Sequence, residues 1–298
     1  MKTIKIIYNP SAGQQVQQEK IFVIAQRLLE SIECRISLFA TKKKCDAYEE
    51  TKKACTDHYD LLIACGGDGT VNEVVNGMMD SGHPIPLAIL AAGSVNDFSE
   101  HLKLPTDITK FLDMILEHKT QKVDVGKMNE TYFINIVGGG AFTNIAHEVP
   151  SDTKTILGRF AYYLQGAFEL PYQIDRSFPL LVTVNDQEPF AVDAFVFLVS
   201  NSPSVGGFKS MVAQADVSDG SLDLLIIKKS SKKDLLETFS KIITGQPSKS
   251  GTMMYYKVSS LTIESQGSEI ELDIDGERGQ HTPAVISVLP GAIELLIP

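Results

Sequence analysis

Three short stretches of this chain carry the residue types that chemistry needs. Gly66, Gly67 and Gly69 crowd around Asp68 and lead into Thr70, Val71 and Asn72. Asp216, Asp219 and Asp223 surround a Gly220-Ser221 step, and Glu269, Glu271, Asp273, Asp275 and Glu277 alternate through a second acidic segment. Glycines reach positive φ and let a bulky anion approach the backbone. Carboxylates hold hard cations or accept protons. Asp68 is unusual in a glycine loop, because a bare carboxylate repels phosphate; it acts through a metal ion or on a hydroxyl.

The elements around these residues decide what they can do. Leu61, Leu62, Ile63 and Ala64 form an apolar run of strand type. After the glycines, Val71, Val74, Val75 and Met78 fall at helical spacing. Strand, glycine loop and helix in that order point backbone N–H groups and the positive end of a helix dipole outward, which suits phosphate. The plain alternative is a βα turn tightened by glycine. The chain has no G-x-x-x-x-G-K-[ST] and no G-x-G-x-x-G after a strand, so neither a Walker loop nor a dinucleotide fingerprint is supported.

The same alternation extends along the first 125 residues. Ile4, Ile6 and Ile7 read as a first strand, followed by Asn9-Pro10-Ser11-Ala12-Gly13. A helix then carries Ile21, Ile24, Ala25, Leu28, Leu29 and Ile32; Arg35–Phe39 is a second strand ending at Thr41; Asp46–His58 is a second helix; Leu87–Leu90 is a fourth strand. This βαβαβαβ order demands right-handed crossovers and a mostly parallel sheet. Three loops then share the carboxyl edge where such sheets bind ligands: Asn9–Gly13, Gly66–Thr70 and Ala91–Phe98. Asn9–Gly13 reads equally as a simple Pro–Gly turn. Thr41 reads equally as a helix N-cap region residue.

Past residue 125 strands dominate: Lys122–Met128 and Tyr132–Val137 as a pair, an interruption at Gly138–Phe142, then Leu180–Val184, Ala191–Val199, Leu222–Ile227, Tyr255–Ile263, Ile270–Ile274 and Ala284–Leu289. A helix at Thr155–Leu170 and an amphipathic one at Asp234–Ile243 break the run. The fold class is therefore α/β plus β. A Rossmann-like parallel-sheet domain over 1–125 is followed by a β-sandwich-like domain over 126–290, and the strand within 291–298 returns to the first domain.

Composition bounds the function. The 298 residues suffice for two domains, and 43% hydrophobic with 21% charged residues is globular. No run approaches the ~18 apolar residues of a membrane span. The N-terminus MKTIKIIYNP has no signal-peptide pattern. Cys34, Cys45, Cys55 and Cys65 lack C-x-x-C spacing and read as reduced cytosolic thiols. A net charge of −10 argues against nucleic-acid binding. Lys42–Lys44, Lys52, Lys53, Lys228, Lys229, Lys232 and Lys233 read as solvated faces, with a cationic surface toward anionic lipid as the other reading. The histidines show no metal spacing.

GGDGT followed by Asn72 and Glu73 resembles the diacylglycerol kinase catalytic domain family; NAD kinases and phosphofructokinases carry a related loop. Gly139-Gly140-Ala141-Phe142, Lys154, Leu157-Gly158-Arg159 and Tyr162-Tyr163 are similar to the bacterial diacylglycerol kinases, so the resemblance covers nearly the whole chain. It implies ATP as cofactor, bound by Asn9, Pro10, Ser11, Ala12, Gly13, Thr41, Gly66, Gly67, Asp68, Gly69, Thr70, Val71, Asn72 and Ser94. The family's P-x-G-T-x-N-D-F appears here with Ala92 and Ser94 at two of its positions; the serine keeps the hydroxyl.

The resemblance also implies a Mg²⁺ that supports the fold, held by the Asp219 carboxylate and the backbone carbonyls of Asp216 and Ser221. Ser218 stands where the family usually has a second acid. On residue types alone, 215–223 reads equally as an Asp-Gly turn, and 269–277 as an exposed acidic strand ending in a hairpin. The family's D-G-E motif makes Glu277 the proton acceptor, with Asp275 next and Asp68 able to share the role.

The implied function is transfer of the γ-phosphoryl of ATP to the hydroxyl of diacylglycerol. The alternatives are a kinase for a sphingoid base, phosphatidylglycerol or polyprenol, and an inactive nucleotide- or lipid-binding regulator. Implied with it are a cytoplasmic location, transient contact with the inner membrane face and compatibility with a homodimer. The anion loop near Asp68 and the acids near Gly276 are expected to face one another across an interdomain gap.

Overall fold

The computed structural model describes residues 1–12, 17–93, 96–141, 177–203, 212, 214–243 and 251–298. The chain divides into two compact units, Met1–Val125 with Pro290–Pro298, and Gly126–Leu289.

In the first unit, parallel strands β1 (Lys2–Tyr8), β2 (Cys34–Ala40), β3 (Leu61–Gly66) and β4 (Leu87–Ala91) lie in the order β4-β3-β1-β2. Every residue of β3 is buried, as a central parallel strand requires. Helices α1 (Gln17–Ser31), α2 (Asp46–Thr56) and α3 (Asp68–Ser81) form the crossovers. Their apolar stripes are buried through Ile21, Ile24 and Leu28 on α1, and Val71, Val74, Val75 and Met78 on α3. Leu29 departs from the expected stripe and is exposed.

Two further helices, α4 (Asp97–His101) and α5 (Ile108–Glu117), precede β5 (Thr120–Met128). Both are absent from the sequence reading. The side chain of Asp107 caps α5 by accepting the N–H groups of Thr109 and Lys110. The sheet turns away from β1 on both sides, so its topological switch point falls between β1 and β3. The loops after those two strands, Asn9–Gly13 and Gly66–Thr70, flank that point.

In the second unit the pairings are antiparallel. The strands are β6 (Thr131–Phe133), β7 (Ile136–Gly140), β8 (Phe178–Val184), β9 (Phe190–Ser200), β10 (Leu222–Lys228), β11 (Met253–Val258), β12 (Ser260–Ser265), β13 (Glu271–Ile274) and β14 (Glu277–His281). Among the described residues of this unit, helix α6 spans Lys232–Ile243. Strand β15 (Ala284–Leu296) pairs with β12 in its first half, and Leu295 lies beside Leu87 of β4 in its second.

Strand β9 bonds to β8, β7 and β10, and both its faces are buried. Phe197 and Val199 join one apolar cluster with Leu224, Ile226 and Leu272. Phe195, Val196 and Leu198 join another with Leu225, Ile227 and Leu235 of α6. This is the two-faced burial of a β-sandwich-like domain.

Three local expectations are corrected. Gly138–Gly140 do not interrupt the chain but form the end of buried strand β7. A Cβ on Gly139 would meet the Phe197 ring at 2.4 Å, so the glycine makes room for an aromatic. Tyr132–Val137 is two strands parted at Ile134-Asn135, and Tyr255–Ile263 is two strands parted at Ser259. The helix expected at Thr155–Leu170, with Lys154 and Gly158–Tyr163, lies outside the described residues.

Candidate active site

Helix α3 begins at Asp68, so GGDGT is itself the helix N-terminus rather than a loop ahead of it. Its N-cap, Gly67, is extended and supplies no side-chain cap for the N–H groups of the first turn. That is an anion-binding geometry. A Cβ on Gly66 would strike the Thr70 side chain at 2.5 Å, so the tight entry to the helix requires glycine.

The third loop packs directly on this one. A Cβ on Gly93 would lie 2.7 Å from the Gly67 Cα, so the two backbones meet at paired glycines. Ala92 N–H donates to Gly66 O at 2.8 Å, and Asn96 N–H donates to Asp68 Oδ2 at 2.9 Å. Asn96 adopts φ 54°, and its side chain closes the loop by accepting from Gly93 N–H and donating to Gly93 O. Asp68 therefore braces two loops. Asn96 belongs to the Ala91–Phe98 loop that the sequence places at this edge but is not among the residues singled out there; its signal is an αL-tolerant residue three positions after a glycine. Ser94 lies outside the described residues.

The first loop joins from the other side of the switch point. Asn9 N–H donates to Cys65 O at 3.0 Å, and the Asn9 side chain accepts Ser11 N–H at 2.9 Å in an Asx turn that Ala12 closes onto Asn9 O. Pro10 is half-buried, and Gly13 lies outside the described residues. Thr41 N–H donates to Tyr8 O at 2.9 Å, which sets the end of β2 beside the end of β1. Asn72, half-buried on α3, accepts from the Asn76 amide. The first unit thus gathers its described candidate residues at one sheet edge. A cavity of about 420 Å³ in this unit, lined by Lys103, Asp107, Lys110 and Met114 among others, contains none of them.

In the second unit, Asp275 and Gly276 form the two-residue turn between β13 and β14, at φ 50° and 88°. The Asp275 carboxylate accepts three backbone N–H groups: Ile134 at 2.9 Å, Asn135 at 3.0 Å and Ile136 at 2.8 Å. The break between β6 and β7 is wound around this side chain. Buried Asn135, Asn201 and Ser202 extend the network through Asn201 Nδ2 to Ile134 O and Ser202 Oγ to Asn135 Oδ1. Glu277, two residues on, opens β14 and is exposed.

The acidic turn at 216–223 has its own partners. Asp216 Oδ1 accepts the N–H and the hydroxyl of Ser218. Asp219 Oδ1 accepts Ser221 N–H at 2.9 Å, and its other oxygen pairs with the Lys257 ammonium. Asp223 is fully buried; burial pushes its carboxyl up, against the pull of the Tyr255 hydroxyl and the ammonium of Lys257. No group of three metal-binding side chains occurs among the described residues. The oxygen-only donors of Asp216, Asp219 and Ser221 nonetheless suit a hard divalent ion, which commonly takes one carboxylate with carbonyls and water. Such an ion would share Asp219 with Lys257.

A parallel-sheet unit with a helix N-terminus at its switch point, followed by a β-sandwich-like unit with an acidic hairpin, is the architecture of the two-domain fold shared by lipid kinases and NAD kinases. Residues 3–128 match the diacylglycerol kinase catalytic domain, and residues 136–297 match the YegS C-terminal NAD kinase beta sandwich-like domain. A diacylglycerol kinase of Staphylococcus epidermidis is 37% identical over 297 residues, covering 100% of this chain and 92% of that protein. One from Staphylococcus haemolyticus is also 37% identical, covering 100% and 88%. The crystal structure of a diacylglycerol kinase from Bacillus anthracis str. Sterne superposes with a TM-score of 0.79 at 27% identity, covering 100% of this chain and 97% of that one. An NAD kinase from Archaeoglobus fulgidus shares the fold at a TM-score of 0.55 and 12% identity, over 99% and 93%. The chain belongs to the diacylglycerol kinase family and is a lipid kinase.

Proposed function

We propose that this kinase moves the γ-phosphoryl of ATP to the free hydroxyl of diacylglycerol, giving phosphatidic acid. The observation that carries the reading is the N-terminus of α3 at the switch point, whose N-cap Gly67 supplies no side-chain cap, with Asn9 N–H bonded to Cys65 O and Ala92 N–H to Gly66 O at the end of the same strand and Asn96 N–H bonded to Asp68 at the start of the helix. Phosphoryl transfer asks a protein mainly for positioning and charge stabilisation. The backbone N–H groups of Gly67, Asp68 and Gly69 at the start of α3 hold the phosphates, the Asn9–Ala12 turn lies against them, and Thr41 and Asn72 contact the rest of the nucleotide. Asp68 acts through Asn96, fixing one loop against the other.

Glu277 is the proton acceptor for the lipid hydroxyl. Asp275, with both oxygens occupied by backbone N–H groups, positions the hairpin that presents Glu277. Mg²⁺ would be held by the Asp219 carboxylate with the carbonyls of Asp216 and Ser221; its chemistry there is neutralisation of clustered negative charge. The lipid substrate brings the protein to a membrane surface. Among the described residues no helix is long and apolar enough to cross one.

The test is incubation with γ-labelled ATP, Mg²⁺ and a panel of lipid alcohols in mixed micelles. Labelled phosphatidic acid is the expected product. A labelled sphingoid base, phosphatidylglycerol or polyprenol would move the acceptor, and label in no lipid would overturn the reading.

A further inference from the structure

The glutamate that follows the glycine motif has no part in the chemistry above, yet both oxygens of its carboxylate bridge α3 to the start of α2. Glu73 lies on the second turn of α3, half-buried. Its Oε1 accepts Cys45 N–H at 2.8 Å and its Oε2 accepts Ala47 N–H at 3.1 Å. Cys45 is the N-cap of α2, left-handed at φ 69°, and supplies no side-chain cap of its own. The start of α2 is therefore capped from the neighbouring helix, by a full negative charge against the positive end of a dipole.

The segment that leads into this cap is tied as firmly. Asp46 Oδ2 accepts Lys42 N–H at 2.7 Å and Lys43 N–H at 3.0 Å. Thr41, the residue before, is fixed to Tyr8 O at the end of β1. Behind the carboxylate the two helices are held at a set spacing. A Cβ on Gly77 would meet Tyr48 O at 2.3 Å, and the Tyr48 hydroxyl donates to Asp80 Oδ2 at 2.7 Å. Glu73 thus joins the helix that begins at GGDGT to the stretch that carries Thr41.

We infer that Glu73 is a positioning residue for nucleotide binding: through the N-terminus of α2 it sets Thr41 against the glycine loop, without touching the nucleotide itself. The inference rests on the ATP reading above. It assigns Glu73 to the nucleotide half of the reaction and not to lipid binding or proton transfer.

Two variants test it. Glu73→Gln keeps the side-chain volume and one accepting oxygen; Glu73→Ala removes both acceptors. The expected result is an ATP KM raised about tenfold in Glu73→Ala and by less in Glu73→Gln, with kcat and the lipid KM near wild type, the pattern of lost uniform binding. Direct calorimetric titration of ATP should show the same order. Wild-type and variant affinities that agree would overturn the inference and leave the ATP reading standing. A wild-type protein that binds no ATP would remove that reading itself. A loss confined to kcat, or equal losses for ATP and lipid, would also overturn it. If Glu73→Ala does not fold, the decision passes to Glu73→Gln, and failure of both to fold makes Glu73 a folding residue, against the proposal.

Discussion

Asp275 and Glu277 are two residues apart in one motif, yet their surroundings give them different work. Three N–H groups converge on the Asp275 carboxylate, while Glu277 stands exposed at the start of β14. Asp275→Asn can accept with only one oxygen, so at least one of the N–H groups loses its partner at a cost of ~1–3 kcal/mol. The expected outcome is a lower melting temperature together with lower activity. Glu277→Gln should lower turnover by about 10²–10⁴-fold, the usual share of a general base, with the melting temperature unchanged. Thermal unfolding and steady-state rates on the two variants separate these roles. The sequence could announce the motif, because Asp-Gly between alternating residues is a local signal. It could not divide the two acids, because the partners of Asp275 come from residues about 140 positions earlier.

At the scale of elements, what was legible was what is periodic. β1 to β4 and α1 to α3 follow from apolar spacing, and the glycine motif marks the β3–α3 junction. What was missed turns mostly on contacts made in three dimensions; α5 is the exception, since Ile108, Phe111, Leu112 and Ile115 fall at helical spacing behind the Asp107 cap and were legible. Gly138–Gly140 read as a break because glycine usually is one; in β7 it makes room for Phe197 and for the backbone at Phe195. α4 is a single short turn of helix whose Phe98 is buried, too brief to show a period.

Gly77 offers a test of this kind of contact. In an exposed helix, glycine to alanine gains up to about 1 kcal/mol. Here the added Cβ falls 2.3 Å from the carbonyl oxygen of Tyr48, a backbone atom that cannot swing away. Gly77→Ala should therefore lose ~1–3 kcal/mol despite its better propensity. Gly69→Ala, on the same helix with no atom within 4 Å of the new Cβ, should lose none. Denaturant titration of the pair reads the difference, and a stabilised Gly77→Ala would show that α2 and α3 do not pack as closely as described.

At the scale of the whole molecule, the first unit is discontinuous: it is built from Met1–Val125 and then completed by Pro290–Pro298. The returning segment is part of its core and not an appendage. Ile293, Leu295 and Leu296 are buried, and Leu295 pairs beside Leu87 of β4. Gly291 N–H donates to Asp124 Oδ1 at 2.7 Å, and Ile297 N–H donates to Lys119 O at 3.0 Å. Each buried aliphatic side chain is worth ~1.5–3 kcal/mol. Three of them therefore approach the ~5–15 kcal/mol that holds a whole domain together. A chain stopped after Leu289 should leave residues 1–125 protease-sensitive, while the second unit, with its own apolar clusters, keeps a protected core. The milder Leu295→Ala should cost ~2–5 kcal/mol and lower the melting temperature of the first unit alone. Protection mapped by hydrogen exchange separates the units. Equal loss of protection in both would mean that they unfold as one, and no loss in residues 1–125 would show that the last strand does not complete that sheet.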